Sequence, residues 1–242
     1  MKGERAIGLL ASTRTTVWLL SLLLAVLFAG AFVMPSEKAF QSIHSLPLLG
    51  WMNEQPLNAT WWVWVSMALL CLLAVNTIVC SVDSVMKKRK VTQWLLLISP
   101  QVIHAAFLFM LLAHLMSARG SFKTFEIGAE GTLLGISDTE ELQIETITIS
   151  LDRSGYLTDW AVDVKYLSNG RTVRQERLLP NRPLFQGGIG VYVRDLRGFP
   201  EKLVLLELSR EPGALWALIG GILFMTGTVT LLILKMKREP RE

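Results

Sequence analysis

Long runs of apolar residues, separated by polar stretches, occupy more than a third of the chain. Four of these runs are apolar over about the 20 residues that a helix needs to cross the hydrocarbon core of a bilayer. The pattern predicts four transmembrane helices, three in the first half of the sequence and one near its end. The predicted spans are Thr16–Met34, Trp61–Val82, Trp94–Ser117 and Ala214–Leu234.

The segment between the third and fourth spans has a different pattern. Gln143–Leu151 alternates imperfectly between apolar and polar residues, and Trp160–Tyr166 alternates more cleanly. Both are rich in β-branched or aromatic residues, and turn sequences such as Ser168-Asn169-Gly170 follow. Short strands at this spacing predict an antiparallel sheet or sandwich. Further strands are expected at Val173–Leu178, Gly190–Arg194 and Lys202–Leu208.

The first apolar run follows Lys2, Arg5 and Arg14, as the apolar part of a signal peptide would. It is longer than that part usually is, and no A-x-A cleavage site occurs before Pro35. We therefore expect a retained helix.

Composition and charge agree with a membrane protein. The chain is 51% hydrophobic and 18% charged, with a mean hydropathy of +0.42, which is too apolar for an ordinary soluble domain. Its formal net charge of +4 comes from basic residues that abut the predicted helices. That distribution favours anchoring of helix ends over nucleic-acid binding, so no nucleic acid is expected as a partner.

The positions of the basic residues predict the orientation. They cluster in the loop between the second and third helices and after the fourth, whereas the first loop, 35–60, contains only Lys38. Cytoplasmic loops carry an excess of lysine and arginine, so both termini are expected in the cytoplasm. The clusters are Lys87, Lys88, Arg89 and Lys90, and Lys235, Lys237, Arg238 and Arg241.

The predicted fold is therefore a membrane α-helical protein with four transmembrane helices and an inserted all-β extracytoplasmic domain. Residues 1–118 are expected to hold three helices, a short outer loop and a basic cytoplasmic loop. Residues 119–212 form the outer β-rich domain, and residues 213–242 form the fourth helix and a basic cytoplasmic tail. The expected location is the cytoplasmic membrane of a bacterium.

The usual catalytic motifs are missing from the sequence. It contains no Walker loop and no GxSxG, HExxH or GxGxxG motif, so we predict no catalytic residue. Cys71 and Cys80 both lie in the second span, about 13 Å apart along a helix, and are too distant to bridge each other. Asn76 shares a face with Cys80 and needs a hydrogen-bond partner, most simply on another helix. Cys80 is interpreted as a small apolar filler, with ligation as the alternative.

Histidine offers the main candidate for chemistry. His44 lies in the first outer loop, and His104 and His114 lie in the third span, His104 about 15 Å from its first residue. An ionisable group at that depth is either hydrogen-bonded to a neighbouring helix or is an axial ligand to haem iron. His114 faces elsewhere on the helix, so a haem at His104 would need a second ligand from another chain or a loop. Pro100, four residues earlier, either kinks the helix at a cavity or is simply tolerated.

Three strings resemble the ResB (CcsB) family of cytochrome c biogenesis proteins. They are the end of the second span, Leu73–Ser81 (LAVNTIVCS), the third-span string Ile103–Phe107 (IHAAF), and Pro180–Gly188 (PNRPLFQGG) followed by Val191-Tyr192. Their order around three helices, an outer domain and one further helix extends the resemblance over nearly the whole chain. The outer domain is shorter than in many family members and contains no cysteine.

The resemblance implies a subunit of a System II cytochrome c synthase, which delivers haem across the membrane for attachment to apocytochrome c. His104 matches the family's histidine on the third helix and would bind the iron of a non-covalent haem b shared with a polytopic CcsA (ResC)-type partner. The attachment site would lie on that partner. The main alternative is a structural subunit that stabilises a partner membrane complex without haem. A transporter or sensor is disfavoured, because the four spans contain no inverted repeat.

Overall fold

The computed structural model describes residues 12–43, 45–87, 94–136 and 139–237. The helices, in chain order, are α1 (Thr13–Ser36), a 3₁₀ helix (Lys38–Ser42), α2 (Leu48–Glu54), α3 (Leu57–Lys87), α4 (Trp94–Gly120) and α5 (Ala214–Met236). The eight strands in these ranges all lie between α4 and α5. The chain divides into two compact units, a helical unit and a β unit that includes Gly120–Glu211.

Four helices, α1, α3, α4 and α5, are long and apolar enough to cross a membrane. Each contains one predicted span, so the prediction of four candidate transmembrane helices is confirmed. The helix α1 begins at Thr13 because the hydroxyl of Ser12 accepts a hydrogen bond from the backbone N–H of Arg14, at 3.2 Å. Most of the basic residues that predicted the orientation lie outside the described residues: Lys2, Arg5, Lys88, Arg89, Lys90, Arg238 and Arg241.

The loop between α1 and α3 is more ordered than the sequence suggested. Its 3₁₀ helix and α2 bury Phe40, Trp51 and Met52. The indole N–H of Trp51 donates to the carbonyl oxygen of Ala39 at 3.1 Å, and the Phe40 ring stacks on Trp62 of α3 with centroids 5.9 Å apart. These contacts fold the loop back onto the start of α3. The candidate His44 in this loop lies outside the described residues.

Small residues bring α4 and α5 into close contact. Three glycines, spaced by seven residues, run from the residue before α5 to its middle, and each faces a backbone oxygen or small side chain of α4. Two turns of helix span about seven residues, so such a spacing keeps one face against a neighbour. The facing pairs are Gly213 with Ala113, Gly220 with Ala106, and Gly227 with Ser99.

The β unit contains two four-stranded antiparallel sheets, with strand orders β1-β8-β7-β6 and β2-β3-β4-β5. Apolar residues from both sheets share one core, which includes Leu142, Ile147 and Val162 from one sheet and Val191 and Leu206 from the other. The strands are β1 (Phe122–Ala129), β2 (Leu133–Gly135), β3 (Glu140–Leu151), β4 (Leu157–Ser168), β5 (Arg171–Leu178), β6 (Leu184–Gln186), β7 (Ile189–Arg197) and β8 (Leu203–Arg210).

The antiparallel β domain predicted from the sequence is confirmed, and its five predicted strands correspond to β3, β4, β5, β7 and β8. The turn between β4 and β5 is at Asn169-Gly170, where both residues have positive φ, 51° and 72°. The prediction omitted β1, β2 and β6. Placement of the β unit outside the membrane stays a prediction.

Candidate functional site

The imidazole of His104 makes a hydrogen bond between two candidate membrane helices. His104 lies on α4, and its Nδ1 is 2.8 Å from the hydroxyl oxygen of Ser81 on α3. The ring is half-buried within the helical unit. Because a hydroxyl both donates and accepts, the bond forms with either neutral tautomer of the ring.

Contacts on both sides of His104 fix the position of α4. On one side, Phe107 packs against a buried cluster that joins α1 to α3 through Leu23, Leu69 and Leu73. On the other, a Cβ atom added at Gly227 of α5 would lie 2.9 Å from Cγ1 of Ile103. The backbone of α4 is therefore held between its neighbours at the level of His104, and the imidazole has a defined direction toward α3.

A second polar contact joins α1 to α3. The hydroxyl of Thr16 donates to the side-chain oxygen of Asn76 at 2.7 Å, and the Asn76 amide nitrogen lies 3.9 Å from Sγ of Cys80. Asn76 is buried, so its predicted need for a partner on another helix is confirmed. Neither cysteine forms a disulfide; Cys71 is exposed and Cys80 is half-buried.

The other candidates on α4 are not brought to the same place. His114 is exposed, and its Nδ1 lies 2.7 Å from the carbonyl oxygen of Met110 on its own helix. A carbonyl only accepts, so Nδ1 of His114 carries the proton. The helix continues through Pro100, and the hydroxyl of Ser99 donates to the carbonyl of Leu95 at 2.6 Å.

The arrangement of His104 and Ser81 is compatible with His104 as one axial ligand to a haem. A histidine that binds a metal through one nitrogen usually has its other nitrogen bonded to a protein group or water, which fixes the ring orientation. Ser81 occupies that position at Nδ1, and with the ring proton on Nδ1 the lone pair of Nε2 would be the one to bind iron. Among the described residues, no group of three or more His, Cys, Asp and Glu side chains could hold a metal ion. The second axial ligand of a haem bound here is predicted from the sequence to come from another chain or a loop.

Ser81 was not recognised from the sequence as the partner of His104. The available signal was a polar residue inside an apolar span, in the same string as Asn76 and Cys80. The 23-residue separation between Ser81 and His104 crosses a loop. Their pairing therefore depends on how α3 and α4 pack, which no local pattern encodes.

A charged cluster of the β unit lies on the face of its sheet that points away from the shared core, and it is centred on β8. Glu207 on β8 is buried, and its carboxylate contacts Nε of Arg194 at 2.5 Å and Nζ of Lys123 at 3.1 Å. The hydrogen bond from Arg194 lowers the pKa of Glu207, burial opposes that effect, and Lys123 lowers the pKa further. Glu207 is therefore an ionised group that joins three strands.

Comparison with known proteins gives a limited result. No family model and no curated protein matches the chain. A solved structure named cytochrome c haem lyase CcmF is similar to it, with a TM-score of 0.47 and 16% sequence identity. The match covers 87% of this chain and 34% of that one, so the chain spans about a third of the length of the neighbour. A likeness of this size establishes neither fold nor function, and membership of the ResB family stays a prediction.

Proposed function

We propose that the chain is a membrane subunit of a cytochrome c synthase and that Nε2 of His104 binds the iron of a haem that is in transit to apocytochrome c. The observation that carries the proposal is the imidazole in the span Ile98–Gly120, whose Nδ1 is at hydrogen-bond distance from Ser81 on a neighbouring helix. The three strings that resemble the ResB family support the same function. The helical unit is then a haem-holding module and not a catalyst.

In this proposal haem is cargo, and this chain supplies one of its two axial ligands. The second ligand belongs to a polytopic partner of the CcsA (ResC) type, which also carries the site of thioether formation. Exposed apolar faces of the membrane helices, for instance Leu24 and Phe28 on α1, are available for lipid and for the partner's helices. A haem b held by imidazole alone is released more readily than one held covalently, as a delivery step requires.

In the proposal, the chain spans the cytoplasmic membrane of a bacterium with both termini in the cytoplasm. The β unit then lies outside the cytoplasm. Its sheets end in edge strands, β1 and β6 in one sheet and β2 and β5 in the other. An open edge offers backbone N–H and C=O groups to an extended chain. Such an edge would receive either the partner's outer loops or the apocytochrome.

A structural subunit without haem is the second candidate, and one observation favours it. The Ser81–His104 contact is a complete hydrogen bond between α3 and α4 and satisfies one nitrogen of the imidazole without any ligand. In that case His104 stabilises helix packing, and the chain contributes only its membrane scaffold and β unit to a partner complex.

The two candidates are separated by replacing each histidine of α4 in the complex of the chain with its membrane partner. With His104→Ala, we expect the haem absorption of the purified complex and the maturation of cytochrome c in cells both to fall at least about tenfold, as for loss of a metal ligand. His114→Ala is the matched control, because it removes an imidazole from the same helix. A normal haem spectrum and normal maturation with His104→Ala would leave only the structural role.

A further inference from the structure

We infer that Ser81 is the positioning residue for His104: its hydroxyl oxygen accepts the Nδ1 proton, which orients the ring and stabilises the tautomer in which Nε2 has a free lone pair. The inference rests on the proposed function and adds a residue from a different helix to the haem site. Its basis is the 2.8 Å contact between Oγ of Ser81 and Nδ1 of His104.

The direction of this hydrogen bond decides whether His104 is able to bind a metal. A neutral imidazole carries one proton, on either Nδ1 or Nε2. If Ser81 donated its proton to Nδ1, Nε2 would carry the ring proton and have no lone pair for iron. If Nδ1 donates to Ser81, Nε2 is an acceptor and a ligand. Binding of iron through Nε2 therefore requires Ser81 to be the acceptor.

The position of the Ser81 hydroxyl is set by contacts that α3 makes elsewhere. The Thr16–Asn76 hydrogen bond ties α3 to α1 fewer than two turns before Ser81. Leu69 and Leu73 of α3 pack in the same buried cluster as Phe107 of α4. These contacts hold α3 just before Ser81 and α4 just after His104, so the oxygen presents a fixed direction to the ring.

Three other hydroxyls on the membrane helices make a local bond within their own helix. Thr77, Ser99 and Thr226 each donate to the carbonyl four residues earlier on their own helix, at 2.6 to 2.8 Å. That local bond is the usual one for a hydroxyl inside a helix. Ser81 instead has its oxygen at hydrogen-bond distance from a side chain on a neighbouring helix, which is the geometry of a residue that orients His104.

The inference is tested first without haem, by ¹⁵N NMR of histidine-labelled full-length chain in detergent. The His104 signal is identified by its loss in His104→Gln. We expect a protonated Nδ1 and an unprotonated Nε2 in the wild-type protein, and in Ser81→Ala a shift toward the Nε2–H form that free histidine prefers. Ser66→Ala is the matched control, because Ser66 is a buried serine of α3 whose hydroxyl has no partner among the described residues. An Nε2–H form in the wild-type protein, or an unchanged tautomer in Ser81→Ala, would overturn the inference.

The second test uses the haem-loaded complex with its partner. Ser81→Ala should weaken haem retention about 10- to 100-fold, the usual effect of removing a group that orients a metal ligand. Ser81→Thr, which keeps the hydroxyl, should restore it, and Ser66→Ala should have no effect. If His104→Ala abolishes haem binding while Ser81→Ala leaves both retention and tautomer unchanged, only the role of Ser81 fails. If His104→Ala leaves haem binding intact, the proposed function itself fails.

Discussion

Polar side chains inside the candidate spans are the residues on which the function of the helical unit depends. Asn76 has its partner on α1, and His104 has its partner on α3. A polar group in hydrocarbon is costly without a partner, so each of these pairs both restricts the packing of the helices and orients its own side chains. The distinction between the two pairs is chemical: an imidazole has a second ring nitrogen, which in the proposed function is the one that binds a ligand.

At the same scale, Glu207 makes the stability of the β unit depend on pH. Arg194 and Lys123 lower the pKa of Glu207, so the ionised form is favoured in the folded protein. Its contribution is fully present above the ordinary pKa of 4.5 and is lost as the pH falls through the lowered value in the folded state. Glu207→Gln should therefore destabilise the full-length protein near neutral pH, by about 1–2 kcal/mol given its half-exposed partners.

Urea unfolding in detergent, followed by tryptophan fluorescence at about pH 7 and again near pH 3, measures this effect. The difference between Glu207→Gln and wild type should shrink as the pH falls, because the stability that the wild-type carboxylate contributes is lost as that carboxylate becomes protonated. Glu201→Gln, on the exposed loop before β8, serves as the control. A difference that stays constant over the pH range would contradict an electrostatic role for Glu207.

At the scale of helices and strands, the sequence predicted the transmembrane helices well because each is defined by its own composition. The strands were harder. The imperfect alternation in Gln143–Leu151 results from a β-bulge between Ile144 and Thr146, which places both Ile144 and Ile147 in the core. Edge strand β1 was missed because its apolar residues Phe125 and Ile127 are exposed, so its pattern does not mark a buried face.

One residue of the candidate site was predicted from the sequence and the other was not. His104 was identified from the sequence, because an ionisable residue is conspicuous near the middle of an apolar run that is long enough to span a bilayer. Its partner was not, because Ser81 is one of several hydroxyl residues at the end of α3 and only helix packing selects it. In the proposed function the haem takes its second ligand from outside this chain, so neither the sequence nor the fold of this chain would specify the complete site.

The close packing of α5 on α4 leads to a prediction at the element scale. A Cβ atom added at Gly220 would lie 3.0 Å from the carbonyl oxygen of Ala106, whereas one added at the adjacent Gly221 would have nothing within 4 Å. Gly220→Leu should therefore separate the helices and cost about 1–3 kcal/mol, which lowers the melting temperature in detergent by about 5 °C. Gly221→Leu is the control with the same change in volume. Equal melting temperatures for the two variants would show that the contact between α4 and α5 at Gly220 does not stabilise the packing of α5.

At the scale of the whole molecule, the predicted orientation places the β unit and the basic tail on opposite sides of the membrane. Ser154 lies in the exposed turn between β3 and β4, and Lys237 follows the end of α5. Single cysteines at these positions, in a chain lacking Cys71 and Cys80, should differ in labelling by a membrane-impermeant maleimide in intact cells. We expect Ser154→Cys to be labelled at once and Lys237→Cys only after the membrane is permeabilised. The opposite result would invert the orientation.

The helical unit and the β unit have different roles in the proposed function. In the proposed function, the helical unit holds an imidazole for haem and the β unit presents sheet edges for a protein partner. The chemistry of attachment belongs to the partner in that proposal, as the resemblance to the ResB family implies. The activity of the complex should then depend on His104 for haem supply and on the β unit for docking.

Chemical rescue of the His104 position tests the central claim most directly. His104→Gly in the purified complex removes the proposed ligand and leaves space for a free imidazole, which can occupy the vacated coordination position on iron. We predict that the low-spin haem spectrum is lost in His104→Gly and returns when imidazole is added, while His114→Gly retains the wild-type spectrum throughout. A His104→Gly complex that keeps its haem and its spectrum without added imidazole would contradict the account.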